Sequence, residues 1–301
     1  MISELPQTVL LVIAGLFGIT VGSFLNVVIA RLPVMLDREW RENLAAFEAD
    51  GAPDPTDAPT DSHPAEPKFN LMVPRSTCPT CGHMITALEN IPVISYLCLR
   101  GRCSGCQSPI SARYPVVELL TGLACVIVVW CFGPTWTALA GIALTFALVA
   151  LSYIDFDHQI LPDNITLPFL WIGLLINMYW AIFTDLQSAV LGAVAGYLIL
   201  WCVYQAFKLV TGKEGMGYGD FKLLAMLGAW LGWSALPGIV FLSSIVGAVI
   251  GISLIAFRGH DRTIPIPFGP YLAIAGWLWM LSGDQMAAWY MNFLAPPELV
   301  Q

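Results

Sequence analysis

Two acidic positions lie where apolar runs end, in a chain otherwise composed for lipid. Asp220 follows Gly215-Met216-Gly217-Tyr218-Gly219 and precedes Phe221-Lys222. Asp155 lies in Tyr153-Ile154-Asp155-Phe156-Asp157-His158-Gln159-Ile160-Leu161-Pro162-Asp163. A carboxylate beside hydrocarbon is costly, so each is a functional-site candidate by default. The glycines before Asp220 let the backbone approach another chain or take conformations closed to other residues. Two carboxylates held close do not both ionise easily and titrate as a pair sharing a proton. One then takes a proton from water while the other gives one to a carbonyl oxygen or a leaving amine. That is aspartyl peptide hydrolysis, and it needs no metal. Asp157 and Asp163 read equally well as water-facing interfacial carboxylates, and Asp163-Asn164 also as a cap on the following helix. Lys222 is either a cation that tunes the pair or an interfacial snorkelling lysine.

The second constellation is built from thiols. Cys78-Pro79-Thr80-Cys81 and Cys103-Ser104-Gly105-Cys106 are two CxxC knuckles separated by 21 residues. Each presents two sulfurs from one tight turn, which suits a tetrahedral Zn2+ site. Arg75, Arg100 and Arg102 favour deprotonated thiols nearby. The competing reading is two disulfides, which a cytoplasmic position disfavours. With four protein ligands such a metal is structural, since no position stays open for substrate. Cys98 is a spare thiol and His83 a weaker substitute ligand. Cys125, Cys131 and Cys202 lie in apolar runs and read as small hydrophobes.

Membrane helices must position both sets. Of 301 residues, 57% are hydrophobic and 11% charged, with a mean hydropathy of +0.72. Soluble domains carry about 25% charged residues, so the chain is expected to be an all-α polytopic membrane protein. Apolar runs near 8–30, 115–132, 136–154, 164–183, 187–208, 222–235, 238–257 and 266–283 approach the roughly 20 residues needed to cross. With the N-terminus outside and about eight crossings, all 13 basic residues fall on one side, as the positive-inside rule expects. Asp155 and Asp220 then both stand at cytoplasmic helix ends. The first run lacks preceding Lys or Arg and a small-residue cleavage site, so it is expected to be a retained helix spanning 1–33. Residues 34–114 form a cytoplasmic domain between the first two crossings. Its acidic part, 37–68, reads as a short helix at best and then a flexible connector. Residues 115–301 form the membrane-embedded core. The net charge of −8 is concentrated in one polar segment, and no nucleic-acid partner is expected. The competing function class is a proton- or cation-coupled transporter with a metal-binding cytoplasmic domain. Transporters place broken helices near the midplane, whereas here both acids lie at one face.

The chain resembles the type IV prepilin peptidases, bifunctional leader peptidase/N-methyltransferases, almost from end to end. The resemblance is carried by Gly22-Ser23-Phe24-Leu25-Asn26-Val27-Val28 with Arg31-Leu32-Pro33, both knuckles, and Leu99-Arg100-Gly101-Arg102-Cys103. It continues through Ser111-Ala112-Arg113-Tyr114-Pro115-Val116-Val117-Glu118, Ile154-Asp155 with Leu161-Pro162-Asp163, Gly217-Tyr218-Gly219-Asp220-Phe221-Lys222 and Pro267-Phe268-Gly269-Pro270-Tyr271. It implies GxGD-type aspartyl proteolysis within the inner membrane, with Asp155 and Asp220 as the catalytic pair. Asp157 does not align with the first motif aspartate. The resemblance further implies cleavage of prepilins and pseudopilins after a glycine ending a short basic leader. The new N-terminal residue is then methylated from S-adenosylmethionine. No Gly-rich loop of a Rossmann-type methyltransferase is present, and Asn26, Arg113 and Glu118 carry no assigned role.

Overall fold

The computed structural model describes residues 6–50, 69–258 and 267–294. Its helices are α1 (Gln7–Asp50), α2 (Ile94–Cys98), α3 (Arg113–Phe132), α4 (Trp136–His158) and α5 (Asp163–Trp180). They continue with α6 (Leu186–Thr211), α7 (Tyr218–Leu231), α8 (Leu236–Arg258) and α9 (Gly269–Leu294). Among the described residues there is no sheet, only isolated antiparallel bridges at Thr77–Met84 and Arg102–Pro109. Among the described residues, five segments are long and apolar enough to cross a membrane: Gln7–Phe47, Arg113–Phe132, Trp136–His158, Leu186–Thr211 and Trp233–Ser253. The chain is a multi-pass membrane protein. α7 has 14 residues, about 21 Å of rise, which is less than the roughly 30 Å of a hydrocarbon core.

The first helix corrects one expectation. Residues 37–68 read as a connector with a short helix at best, yet α1 runs unbroken through Pro33 to Asp50. The segment from Leu36 to Asp50 contains neither Gly nor Pro, and Asp37 pairs with Arg41 one turn on at 2.7 Å. Those are the local terms that carry a helix into water. Residues 51–68 lie outside the described residues. The chain divides into two compact units, residues 19–120 and residues 1–18 with 121–301. The expected boundary near 33 lies within α1, and the one near 114 coincides with the start of α3.

The unit of residues 19–120 is organised by two knuckles. Cys78 N–H donates to His83 O and Gly82 N–H to Cys78 O, both at 2.9 Å. Cys103 N–H donates to Ser108 O at 2.9 Å and Gln107 N–H to Cys103 O at 3.0 Å. Gly82 (φ 72) and Gln107 (φ 60) occupy the same left-handed step, four residues after the first cysteine of each knuckle. The chain entering at Phe69 is held against α1. Arg31 donates to Asn70 O at 3.0 Å, and Arg38 lies over the Phe69 ring at 4.6 Å.

In the other unit α7 is the core. Its residues from Asp220 to Leu231 are buried, Lys222 alone being partly exposed. α6 reaches it through Gly192 and Gly196, spaced one turn apart. A Cβ on Gly196 would lie 2.6 Å from Leu224 O, and one on Gly192 would collide with Gly228 O. Small residues at this spacing let two membrane helices touch backbone to backbone. The far end of α7 is capped from α5. Buried Asn177 donates to Ala229 O and Trp230 O, both at 2.9 Å, and accepts from Phe183 N–H at 3.1 Å. Trp230 fills the space left by Gly173 and donates from Nε1 to Phe169 O at 2.7 Å.

Gly196→Leu is expected to lower the thermal midpoint in detergent by forcing α6 off α7, an overpacking cost of about 1–3 kcal/mol. Asn177→Ala should cost about 1–3 kcal/mol by leaving two carbonyls and an amide unpartnered. An unchanged melting curve in both would disprove this account of the core.

Candidate active site

Asp155 ends the buried face of α4 and is 6% exposed; Asp220 lies in the first turn of α7 and is 8% exposed. Residues 215–219 set the second carboxylate. Gly217 N-caps α7, and Gly219 is pressed on Leu161, where an added Cβ would lie 2.8 Å from the leucine Cβ. The first carboxylate is held by a residue to which the sequence alone assigned nothing. Gly269 opens α9, and its N–H donates to Asp155 Oδ2 at 3.0 Å. A side chain there would displace the acid, because a Cβ on Gly269 would stand 2.6 Å from the same oxygen. Leu161 closes the triangle, since its Cδ2 lies 3.2 Å from that Cβ position. Leu161 thus sits against both Gly219, next to Asp220, and Gly269, which bonds Asp155, so the two acids flank one side chain. Two helix N-termini, those of α7 and α9, bring their N–H ends to the pair, an arrangement that favours negative charge. Asp157, two residues after Asp155, is exposed, as are Phe156 and His158.

The four knuckle cysteines converge. Their sulfurs all lie within 4.8 Å of one another, with Cys78 to Cys106 at 3.8 Å and Cys81 to Cys103 at 4.0 Å. A tetrahedron with metal–sulfur bonds of about 2.3 Å has edges of roughly 3.8 Å, so these side chains fit a tetrahedral thiolate site. Cys98 and His83 stand outside it. The backbone N–H groups of Cys81 and Thr80, with the Ser108 hydroxyl, pull the Cys78 thiol down to about 5. His83 instead joins Glu89 (3.2 Å) and Ser104 (3.1 Å), and Glu89 also accepts from Thr86 N–H at 2.8 Å. Hydrogen bonds from Ser104 and Thr86 hold the Glu89 carboxyl down to about 2. This carboxylate ties the first knuckle to the second.

Two family models match the chain. "Bacterial Peptidase A24 N-terminal domain" covers residues 16–132, and "Type IV leader peptidase family" covers residues 142–252. Among curated proteins, the prepilin leader peptidase/N-methyltransferase of Aeromonas hydrophila is 60% identical over 280 residues, 93% of each chain. Its namesake from Pseudomonas aeruginosa is 53% identical over 278 residues, 92% of each chain. The chain belongs to the type IV leader peptidase family. A third relative of the same name, from Burkholderia pseudomallei, is 51% identical over 275 residues, 91% of this chain and 86% of that one. No solved structure matches the chain. The two family models separate the two constellations, with all four cysteines in the N-terminal one and Asp155 and Asp220 in the other. None of these relatives is a transporter, and that reading is set aside.

Asp163 and Lys222, open in the sequence reading, belong together in this peptidase-type core. Lys222 Nζ donates to both carboxylate oxygens of Asp163 at 2.7 Å, joining the first turns of α5 and α7. Asp163 therefore does not cap α5; the cap position is Pro162 and makes no side-chain bond. On the other flank Lys208 donates to Glu214 at 2.8 Å, and the rings of Tyr204 and Tyr218 meet at 5.4 Å. Sequence reasoning missed Gly269 and Leu161 as organisers. The one available signal was Phe268-Gly269-Pro270, a glycine placed where a helix starts.

Replacing both Cys78 and Cys81 by Ser should abolish stoichiometric metal, read by elemental analysis of the purified chain. Retention of one metal per chain would rule out the four-thiolate site.

Proposed function

We propose that the chain is a prepilin leader peptidase/N-methyltransferase in which Asp155 and Asp220 hydrolyse the leader bond of prepilins and pseudopilins. One observation carries the reading: two buried carboxylates, from the end of α4 and the first turn of α7, flank Leu161, which packs on Gly219 and Gly269 beside them. It is supported by relatives of that name at 50–60% identity.

The chemistry follows from the pair's environment. Asp155 has the Gly269 N–H as a donor and is suited to carry the negative charge. Asp220 then holds the shared proton. A water between them gives its proton to Asp155 as its oxygen attacks the scissile carbonyl carbon, and the carbonyl oxygen takes the proton from Asp220. Collapse breaks the C–N bond: the departing amine takes the proton from Asp155, and a hydroxyl of the tetrahedral diol returns its proton to Asp220 as the carboxylic acid forms. Both acids return to their starting states, so no metal enters the step. The two helix N-termini favour the negative charge held at the site. In this reading Asp157 stands in water and takes no part.

The second activity methylates the amine that cleavage exposes, with S-adenosylmethionine as donor. The four cysteines hold Zn2+, which orders the knuckles and meets no substrate. The protein lies in the bacterial inner membrane with eight crossings and its N-terminus periplasmic, which puts the acids, the basic leader and the methyl donor on the cytoplasmic side. The three helices beyond the clear spans are α5, α7 and α9. Of these, α7 is enclosed by protein along nearly its whole length, where a helix too short to span the hydrocarbon is tolerated.

Mass spectrometry of a prepilin incubated with the solubilised enzyme, with and without methyl donor, tests both activities. Asp155→Asn and Asp220→Asn are each expected to slow cleavage by at least about 10²- to 10⁴-fold while keeping the wild-type melting curve. Asp157→Asn should cleave at close to the wild-type rate. Substantial cleavage by both asparagine variants would end the two-aspartate mechanism.

A further inference from the structure

The stretch between the knuckles carries an apolar edge. Leu88, Ile91, Ile94 and Leu97 are all exposed, Leu88 at 77% and Leu97 at 68%, and α2 buries none of its residues. A contiguous apolar surface of this kind marks contact with a membrane or another molecule.

Glu118 fixes where that edge lies. Its Oε2 accepts the Val93 N–H at 2.8 Å, and the Ser23 hydroxyl bonds the same carboxylate. Glu118 is five residues into α3, a membrane-crossing helix that begins at Arg113. At 1.5 Å per residue, the Glu118 backbone stands about 7.5 Å inside the level of Arg113, and its side chain leans back toward Arg113, so Val93 is held within that depth. Amphipathic segments seated in a bilayer surface bury about 5–10 Å deep. Asn26 registers the two helices at the same level, donating to Tyr114 O at 3.1 Å. Val93 itself takes φ 60 and ψ −51, with Ile94 N–H turned back to Pro92 O. A β-branched residue resists such a turn, and the carboxylate on its N–H holds it. The turn sends α2 off with Ile94 and Leu97 three residues apart, on one helix face. Exposed Arg100 and Arg102 follow directly, placed to meet anionic headgroups.

We propose that Leu88–Leu97 is an interfacial wedge, seated in lipid of the leaflet on the Arg113 side and anchored there by Glu118. Its occupant is acyl chain, not a second copy of the chain or a peptide. The backbone that enters the leaflet has its amide satisfied by Glu118, the condition under which non-helical backbone is tolerated at that depth.

The full chain is reconstituted in vesicles of phosphatidylethanolamine and phosphatidylglycerol, with a diazirine amino acid at position 97 or, for comparison, at Met84 in the first knuckle. After irradiation, lipid adducts at 97 are expected to exceed those at 84 by at least about tenfold, as apolar burial at the interface requires. Glu118→Leu should bring position 97 down to the Met84 level, whereas Glu118→Gln, which keeps an oxygen for Val93, should not. Equal lipid adducts at 97 and 84, or adducts at 97 mainly to protein, would overturn the wedge. Undiminished lipid adducts in a folded Glu118→Leu chain would overturn the anchor. If that variant does not fold, the comparison of 97 with 84 in the unsubstituted chain decides.

Discussion

A fourteen-residue helix buried on nearly every side sets the terms for the rest of the molecule. α7 has no polar face to offer water, and its backbone ends cannot be left unpaired in an apolar medium. Protein must therefore supply what solvent would. At the C-terminal end Asn177 takes two carbonyls. At the N-terminal end the first turn holds Asp220 and receives the Asp163–Lys222 pair. Between them the glycines of α6 bring backbone onto backbone, a distance at which any side chain would intrude. Asp220 is dry because the helix that carries it is dry.

The second acid depends on the same packing. Asp155 is the last buried position of α4 before the chain becomes exposed at Phe156. It meets the first turn of α9, whose opening amides have no partner inside their own helix. The Gly269 N–H therefore finds a carboxylate, and the carboxylate finds a donor, without any side chain between them. Leu161 lies under both glycines and fixes the spacing. An acid pair of the proposed kind has to be shielded, and here the shielding is the helix core itself.

The thiol cluster obeys the opposite logic. Its thiols lie on turns, Cys78 and Cys103 buried and Cys81 and Cys106 exposed, and hydrogen bonds from backbone amides and the Ser108 hydroxyl, against burial, lower the Cys78 thiol. Glu89, held ionised by Ser104 and Thr86, couples the knuckles through polar contacts. The lipid-facing part of this unit is a separate matter, governed by the buried Glu118 and the strained turn at Val93.

Much of this was legible in the residues alone. Strong apolar runs define membrane helices because backbone in lipid must bond to itself, and the cysteine pattern carries its own geometry. The acids stood out because ionisable groups at apolar run ends are expensive. For residues 37–68 composition allowed a short helix before a connector; local helix terms carry α1 unbroken from the membrane run to Asp50. Asp163 read either as an interfacial carboxylate or as a helix cap, and a lysine 59 residues later claims it. The distinction between buried Asp155 and exposed Asp157 rests on which face of α4 meets α9, and the Gly269 amide that secures Asp155 is 114 residues away. Local sequence determines which residues are present and which helices form, because those follow from short-range energies. Which carboxylate loses its water, and which amide or lysine faces it, are consequences of long-range packing that only the assembled helices decide.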